Sequence, residues 1–300
     1  MLYQLEKWYF DFLTQAGDYF FGYLAQVAFL GTRTSELALH LRRAGSDEPV
    51  KWSGRLRATV GGAATRTVDF AAGRISVSPA ASTITIDLPE ALVRLEYKAH
   101  PLFDPGLSIA ARRGSVLWQP VMPGARTAGE VKLRGETIAV SGAPGYIDFL
   151  RSTVLPPSVP IRTLFWGRAL DERCELTYTV AAGPAGAWPR LIARVDDSIL
   201  VATAVSVEPA DWRPSPSLGL NCPARYRLRA AGPGLRAEIE VVHDRAAVES
   251  EFISGSPLLR RITRNPRGVK FTGRALTHIE HAGSAFDAEL PLVDEYAVFD

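Results

Sequence analysis

Arg225-Tyr-Arg-Leu-Arg-Ala-Ala-Gly-Pro-Gly-Leu-Arg-Ala-Glu-Ile-Glu-Val241 decides the fold class. Arg225, Arg227 and Arg229 alternate with Tyr226, Leu228 and Ala230. Ala231-Gly-Pro-Gly234 turns the chain. Leu235, Ala237, Ile239 and Val241 then alternate with Arg236, Glu238 and Glu240. A period of two puts one set on an apolar face and the other in water, the pattern of an antiparallel hairpin. Arg–Glu pairs across the wet face add about 0.2–1 kcal/mol each.

Working outward, the same alternation recurs. Leu37, Leu39 and Leu41 oppose Glu36, His40 and Arg42; Ile84, Ile86 and Leu88 oppose Thr83, Thr85 and Asp87; Val93, Leu95 and Tyr97 oppose Arg94, Glu96 and Lys98. Glu6 to Leu13, Asp18 to Gly31, Trp52 to Val60, Ser115 to Val121, Glu136 to Val140, Arg173 to Ala181, Trp188 to Val195 and Ser198 to Val207 read as further strands. Val269 to Ile279 reads as the last sizeable one. Asp18 to Gly31 is apolar on both faces, so one face is expected on a core and the other against a ligand or a second domain. Gly61-Gly62, Met122-Pro-Gly124 and Asp196-Asp197 read as turns, and Pro209 to Pro216 as a loop. Only short pieces such as Arg245 to Phe252 admit a helix. Many short strands between Gly/Pro turns predict an all-β architecture of antiparallel β-barrels. Three hundred residues are many for one sandwich, so two β domains are expected, 1–156 and 157–300, with the boundary near Pro156-Pro157.

Totals exclude several classes. Apolar residues make up 47% and charged residues 22%, the range of a soluble globular chain. A net charge of +2 gives no bulk electrostatic case for nucleic acid or an anionic membrane. The two cysteines, Cys174 and Cys222, exclude a disulfide scaffold and a four-thiolate metal site; whether they pair is left open. The start of the chain has no basic-then-apolar leader, and the apolar run Tyr19 to Leu30 is too short to span a membrane as a helix. A cytoplasmic protein is expected, without stable membrane insertion; a peripheral contact through Trp8, Tyr9 and Phe10 stays open, as does the oligomeric state.

The candidate chemistry gathers at the midpoint. Gly142-Ala-Pro-Gly-Tyr-Ile-Asp-Phe-Leu-Arg-Ser-Thr153 reads as a Gly/Pro turn followed by a strand, and Ile161-Arg-Thr-Leu-Phe-Trp-Gly-Arg168 follows. Alternation puts Asp148 on the Tyr146 face, away from Ile147 and Phe149. On a face that lines a cavity, Asp148 would serve as a proton donor. The alternative is a structural pair with Arg151 or Arg168. Trp166 and Arg168 share a face, and the indole could stabilise developing positive charge, or simply pack. The histidines offer no metal spacing. His278 and His281 face opposite sides of a strand, and His243 and Asp244 are adjacent and so do not face each other. No GxSxG elbow, P-loop or GxGxxG is present, which disfavours hydrolase, kinase and Rossmann readings. Neither a metal nor a cofactor is expected.

Glu6-Lys-Trp-Tyr-Phe, Gly145-Tyr-Ile-Asp148, Phe165-Trp-Gly-Arg168 and Phe271-Thr-Gly-Arg-Ala-Leu, in that order along most of the chain, resemble the lipocalin-like AttH and hydroxyneurosporene synthase (carotenoid 1,2-hydratase) superfamily. The resemblance implies two lipocalin-like β-barrel domains packed together around an apolar ligand pocket. It also implies cofactor-free chemistry on polyenes, as in carotenoid hydratases and Diels–Alder-type cyclases. Asp148 falls where the hydratases carry an acid after Gly-Tyr. The hydratases continue with His and Asn-Trp, whereas this chain has Ile147 and Phe149-Leu-Arg, with fewer groups to hold a water. The expectation is a cyclase, isomerase or hydratase acting on a hydrophobic small molecule, with Asp148, Arg168 and Tyr146 catalytic and Trp166, Arg151, Trp118 and Tyr9 against the substrate. The alternatives are a lipocalin-like carrier that leaves its ligand unchanged and an interaction protein with a filled core.

Overall fold

The computed structural model describes residues 2–46, 48–60, 67–78, 80–99, 106–196, 198–215, 217–251 and 267–299. Gly61-Gly62, His100, Asp197, Pro216 and Phe252 lie outside them. The chain divides into two compact units, Met1–Leu155 and Pro156–Asp300.

Unit 1 is one antiparallel sheet of β1 (Tyr3–Leu13), β2 (Tyr19–Phe29), β3 (Thr32–Arg42), β4 (Val50–Leu56), β5 (Ala58–Val60), β6 (Thr67–Phe70), β7 (Gly73–Ser76), β8 (Ala81–Leu88), β9 (Ala91–Ala99), β10 (Leu107–Ala111), β11 (Gly114–Leu133) and β12 (Glu136–Ser152). The order is 4-3-2-1-12-11-9-8-7-6-5, with β10 on β11, so the first strand pairs with the last. Alternation writes the core directly. Ile84, Ile86, Val93 and Leu95 turn in from β8 and β9, and meet Phe10, Phe12, Phe20, Leu37, Leu39 and Ile147.

Unit 2 repeats the plan with β13 (Thr163–Leu170), β14 (Cys174–Gly183), β15 (Gly186–Val195), β16 (Ser198–Ala202), β17 (Ala204–Ser215), β18 (Leu220–Gly232), β19 (Leu235–Glu251), β20 (Arg267–His281) and β21 (Ser284–Val298). Its order is 16-15-14-13-21-20-19-18-17, again with first and last strands paired. β17 touches β14 and β15 while β16 touches β18 and β19, so this sheet curls back on itself as a barrel. The hairpin quoted above is β18–β19, and Arg227–Glu238 (3.1 Å) and Arg225–Glu240 (3.4 Å) pair across its wet face.

Several expectations are corrected. Met122-Pro-Gly124 and Gly142-Ala-Pro-Gly145 do not turn the chain; they lie inside β11 and β12, where register shifts at Pro120/Met122 and Met122/Ala125 absorb the irregular residues as bulges. Pro209 to Pro214 run within β17, an edge strand, where a missing N–H is tolerated. Ser198 to Val207 is not one strand but β16 and β17, at opposite ends of the sheet order. Arg245 to Glu251 continue β19 as strand rather than helix. A last strand, β21, lies beyond Ile279. Among the described residues no helix is long and apolar enough to cross a membrane.

Candidate functional site

Strand pairing builds a polar group in unit 1. Tyr9 stands opposite Asp148, and Asp11 opposite Tyr146, across β1 and β12. Phe10 and Ile147, between them in sequence, point into the core. The polar four therefore share the other face of the sheet, and all are buried: Asp11 and Tyr146 are 0% exposed and Asp148 7%. On the core face, next to Tyr146, Gly145 stands opposite Phe12 and leaves room for the Thr127 hydroxyl and the Tyr97 ring, which a Cβ there would strike or approach to 2.9 Å.

Each tyrosine donates to the carboxylate two residues further along its own strand. The Tyr146 hydroxyl reaches Asp148 Oδ2 at 3.1 Å, and the Tyr9 hydroxyl reaches Asp11 Oδ2 at 2.8 Å. The Trp118 indole N–H from β11 donates to the same Asp148 Oδ2 at 3.0 Å. Tyr9 and Tyr19 share a further hydrogen bond of 2.8 Å. Burial, then the charge of Asp11, push the Tyr9 phenol well above its ordinary range, so it stays a neutral donor. Phe21 and His40 extend this face, stacked at 4.4 Å.

Of the residues singled out in the sequence, Asp148, Tyr146, Trp118 and Tyr9 come together here. Arg151 does not join them. It stands on the opposite face of β12, half-exposed, 3.8 Å from Glu6. Trp166 and Arg168 belong to unit 2, on one face of β13 opposite Thr179 and Thr177 of β14. Arg168 is 1% exposed. The cation over the Trp166 ring is the Lys270 ammonium, 4.8 Å from its centre, and Lys270 also pairs with Glu295.

Inside unit 2 the structure assembles a group that sequence reasoning missed. Asp294, 0% exposed, lies on the core face of β21. Its Oδ1 accepts from the Tyr178 hydroxyl (2.8 Å) and the Tyr226 hydroxyl (2.6 Å), and its Oδ2 meets His243 Nε2 at 2.6 Å. His243 Nδ1 faces the Pro223 carbonyl at 2.8 Å, and the ring stacks on Phe271. A bulge just after His243 interrupts the β19–β20 register. Burial, then the Asp294 charge, raise both phenols well above their ordinary range. Gly167 leaves the room: a Cβ there would strike the Tyr178 hydroxyl and lie 2.7 Å from Asp294 Oδ1. The signal was present in the sequence. Leu290, Leu292, Asp294 and Tyr296 alternate, which places an acid on an apolar face. His243 finds its acid 51 residues away rather than at Asp244.

No family model matches the chain, and no curated protein matches it in sequence. Solved structures do. A protein described as an AttH, from Nitrosomonas europaea, superposes with a TM-score of 0.67 over 99% of this chain and 93% of its own, at 13% identity. The two chains share a fold. CghA, solved with Sch210972, matches this chain with a TM-score of 0.66 at 12% identity, over 99% of it and 88% of CghA. Kievitone hydratase from Nectria haematococca gives 0.62 at 11%, over 98% and 89%. At such identities the likeness is one of fold.

Proposed function

We propose that the chain is a cofactor-free enzyme, a cyclase, isomerase or hydratase, acting on a hydrophobic polyene or isoprenoid-like molecule in secondary-metabolite or carotenoid-type biosynthesis. One observation carries the reading: Asp148 is buried on the face of its sheet turned from the core, and an indole and a phenol are both aimed at one of its oxygens. The hydratase among the structures of this fold supports the same kind of chemistry.

The Asp148 carboxyl gives its proton to a double-bond carbon, and a carbocation forms. The Trp118 and Tyr146 donors then hold the carboxylate left behind. A second double bond can attack the cation and carry its charge to a new carbon, and the charge is finally discharged by water, which then gives up a proton, or by loss of a proton from a neighbouring carbon. In each case one proton returns to Asp148, so the acid is regenerated. The rings of Tyr9, Tyr146 and Trp118 offer π faces that steady positive charge. Positioning the substrate contributes several kcal/mol more, about 7 kcal/mol where alignment is good.

The test begins with the protein as purified. Any apolar molecule that accompanies it is extracted, identified by mass spectrometry and returned to fresh protein. Conversion by the native chain and its loss in a folded Asp148→Asn variant is the expected result. Recovery of the molecule unaltered from the native chain overturns the reading in favour of a carrier.

A further inference from the structure

One end of unit 1 carries an apolar tip that folding does not explain. Leu30 and Gly31 join β2 to β3, and Phe29 pairs with Thr32 across the turn. Both turn residues have positive φ, 48° and 84°, the pattern of a two-residue type I′ hairpin. That pattern favours asparagine, aspartate or glycine, because an ordinary Cβ crowds the following carbonyl in this conformation. Of the five non-glycine residues with positive φ among those described, Leu30 alone is large and apolar. It is 68% exposed. Leu2, whose carbonyl accepts from the Leu30 N–H at 3.1 Å, is 53% exposed, and Phe29 is 41% exposed. Single exposed apolar residues are ordinary, but three at one tip mark a contact surface. Trp8, Tyr9 and Phe10, the other candidates for a peripheral contact, are buried and take no part.

Strand register places a second turn at the same end of the sheet. Val27, Leu5, Ser152 and Val116 form one row across β2, β1, β12 and β11. Leu30 and Arg113 stand equally far beyond that row, roughly 15 Å apart at the usual strand spacing. Arg112 and Arg113 make the turn between β10 and β11; both are exposed, as is Arg33 beside the apolar tip. Residues 2–5, 26–35, 106–118 and 150–155, which build this end, contain four arginines and no acid. Glu6, next along β1, pairs with Arg151. The other three arginines give this end a local positive charge that the net charge of +2 conceals.

Apolar side chains flanked by guanidinium groups match an anionic lipid surface. The first enter the acyl boundary while the second meet the lipid phosphates. A projecting two-residue turn offers little of the roughly 800 Å² that a stable protein interface takes from each partner, whereas a bilayer admits such a tip without a matching cavity. We propose that Leu2, Phe29 and Leu30, with Arg33, Arg112 and Arg113, seat unit 1 reversibly on an anionic membrane surface. The seat is separate from the chemistry at Asp148 and does not depend on it.

Sedimentation with vesicles tests this directly. The full-length protein is mixed with vesicles of phosphatidylcholine alone, or of phosphatidylcholine with phosphatidylglycerol. It is expected to follow the mixed vesicles, and to be released by high salt, which screens exposed charges. Leu30→Asn removes the apolar tip and supplies a residue at ease with positive φ. It should keep or raise the melting temperature while weakening binding about tenfold. Arg112→Gln combined with Arg113→Gln should weaken binding about fivefold per arginine. Absence of binding to the mixed vesicles overturns the proposal. So does equal binding to both kinds of vesicle, or binding unchanged in folded Leu30→Asn. A native dimer that Leu30→Asn dissolves in sedimentation velocity overturns it too, since a second copy then covers the tip.

Discussion

Asp148 in unit 1 and Glu295 in unit 2 occupy matching places. Each stands on the last strand of its sheet, opposite an aromatic side chain of the first strand, Tyr9 or Trp166, and on the face turned from the core. Each also meets a donor from the penultimate strand. In unit 1 that donor is the Trp118 indole; in unit 2 it is the Lys270 ammonium. The same position is thus served by a neutral donor in one unit and a cation in the other. A buried carboxylate paired with an ammonium depends on that partner, since removing either one strands a buried charge. A carboxylate held by an indole and a phenol loses only a hydrogen bond when one donor goes. On the function proposed above, geometry shared by the two units serves proton exchange in one and the joining of strands in the other.

The sharpest way to break the comparison is to neutralise both acids. Asp148→Asn should lower turnover of the molecule recovered with the protein by on the order of 10²–10⁴, the usual contribution of an acid–base group, with the melting temperature little changed. Glu295→Gln should leave turnover per folded molecule close to native. Lys270→Met should destabilise unit 2 by roughly 3–5 kcal/mol in urea, since Glu295 is left buried without its ammonium, and adding Glu295→Leu should recover most of that loss. Gly167→Ala, which drives a methyl into Tyr178 and Asp294, should cost about 1–3 kcal/mol by the same measurement.

Alkali offers a test that reads both units together. Tyr9, Tyr178 and Tyr226 keep their protons in the fold above their ordinary pKa of 10.0. The unfolded chain releases those protons as pH passes 10, so their contribution is intact below that pH and falls above it. The loss is about 1.4 kcal/mol per pH unit for each phenol. Phenolate absorbance from these three should appear together with loss of circular dichroism; a rise before unfolding would show them to be open to solvent. The smallest effect is Tyr146→Phe, which removes one hydrogen bond to Asp148 and should cost about 1 kcal/mol of stability.

Alternation made much of this legible. Tyr146 and Asp148 opposite Ile147 and Phe149, and Cys174, Leu176 and Tyr178 on one face, read correctly because side chains on a strand have a strict period of two. Prolines misled. Pro123, Pro144 and Pro209 signal turns in a local reading, yet each lies within a strand; a bulge relieves Pro123, and a sheet edge Pro209, of donating a hydrogen bond. Pro291 and the acids around it disguised β21 in the same way, and with it Asp294 and Glu295. Their partners lie on other strands: His243 and Tyr178 are far away in sequence, and only register brings them to one point.

In each unit the opening strand lies beside the closing one. Unit 2 therefore cannot complete its sheet during synthesis until the ribosome has delivered β21 as far as Val298, and until then β13 and β20 each present an unmated edge. Contacts this remote in sequence slow folding and lengthen the time that sticky edges are exposed. Unit 1, finished at Ser152, is free to close while its neighbour is still being translated.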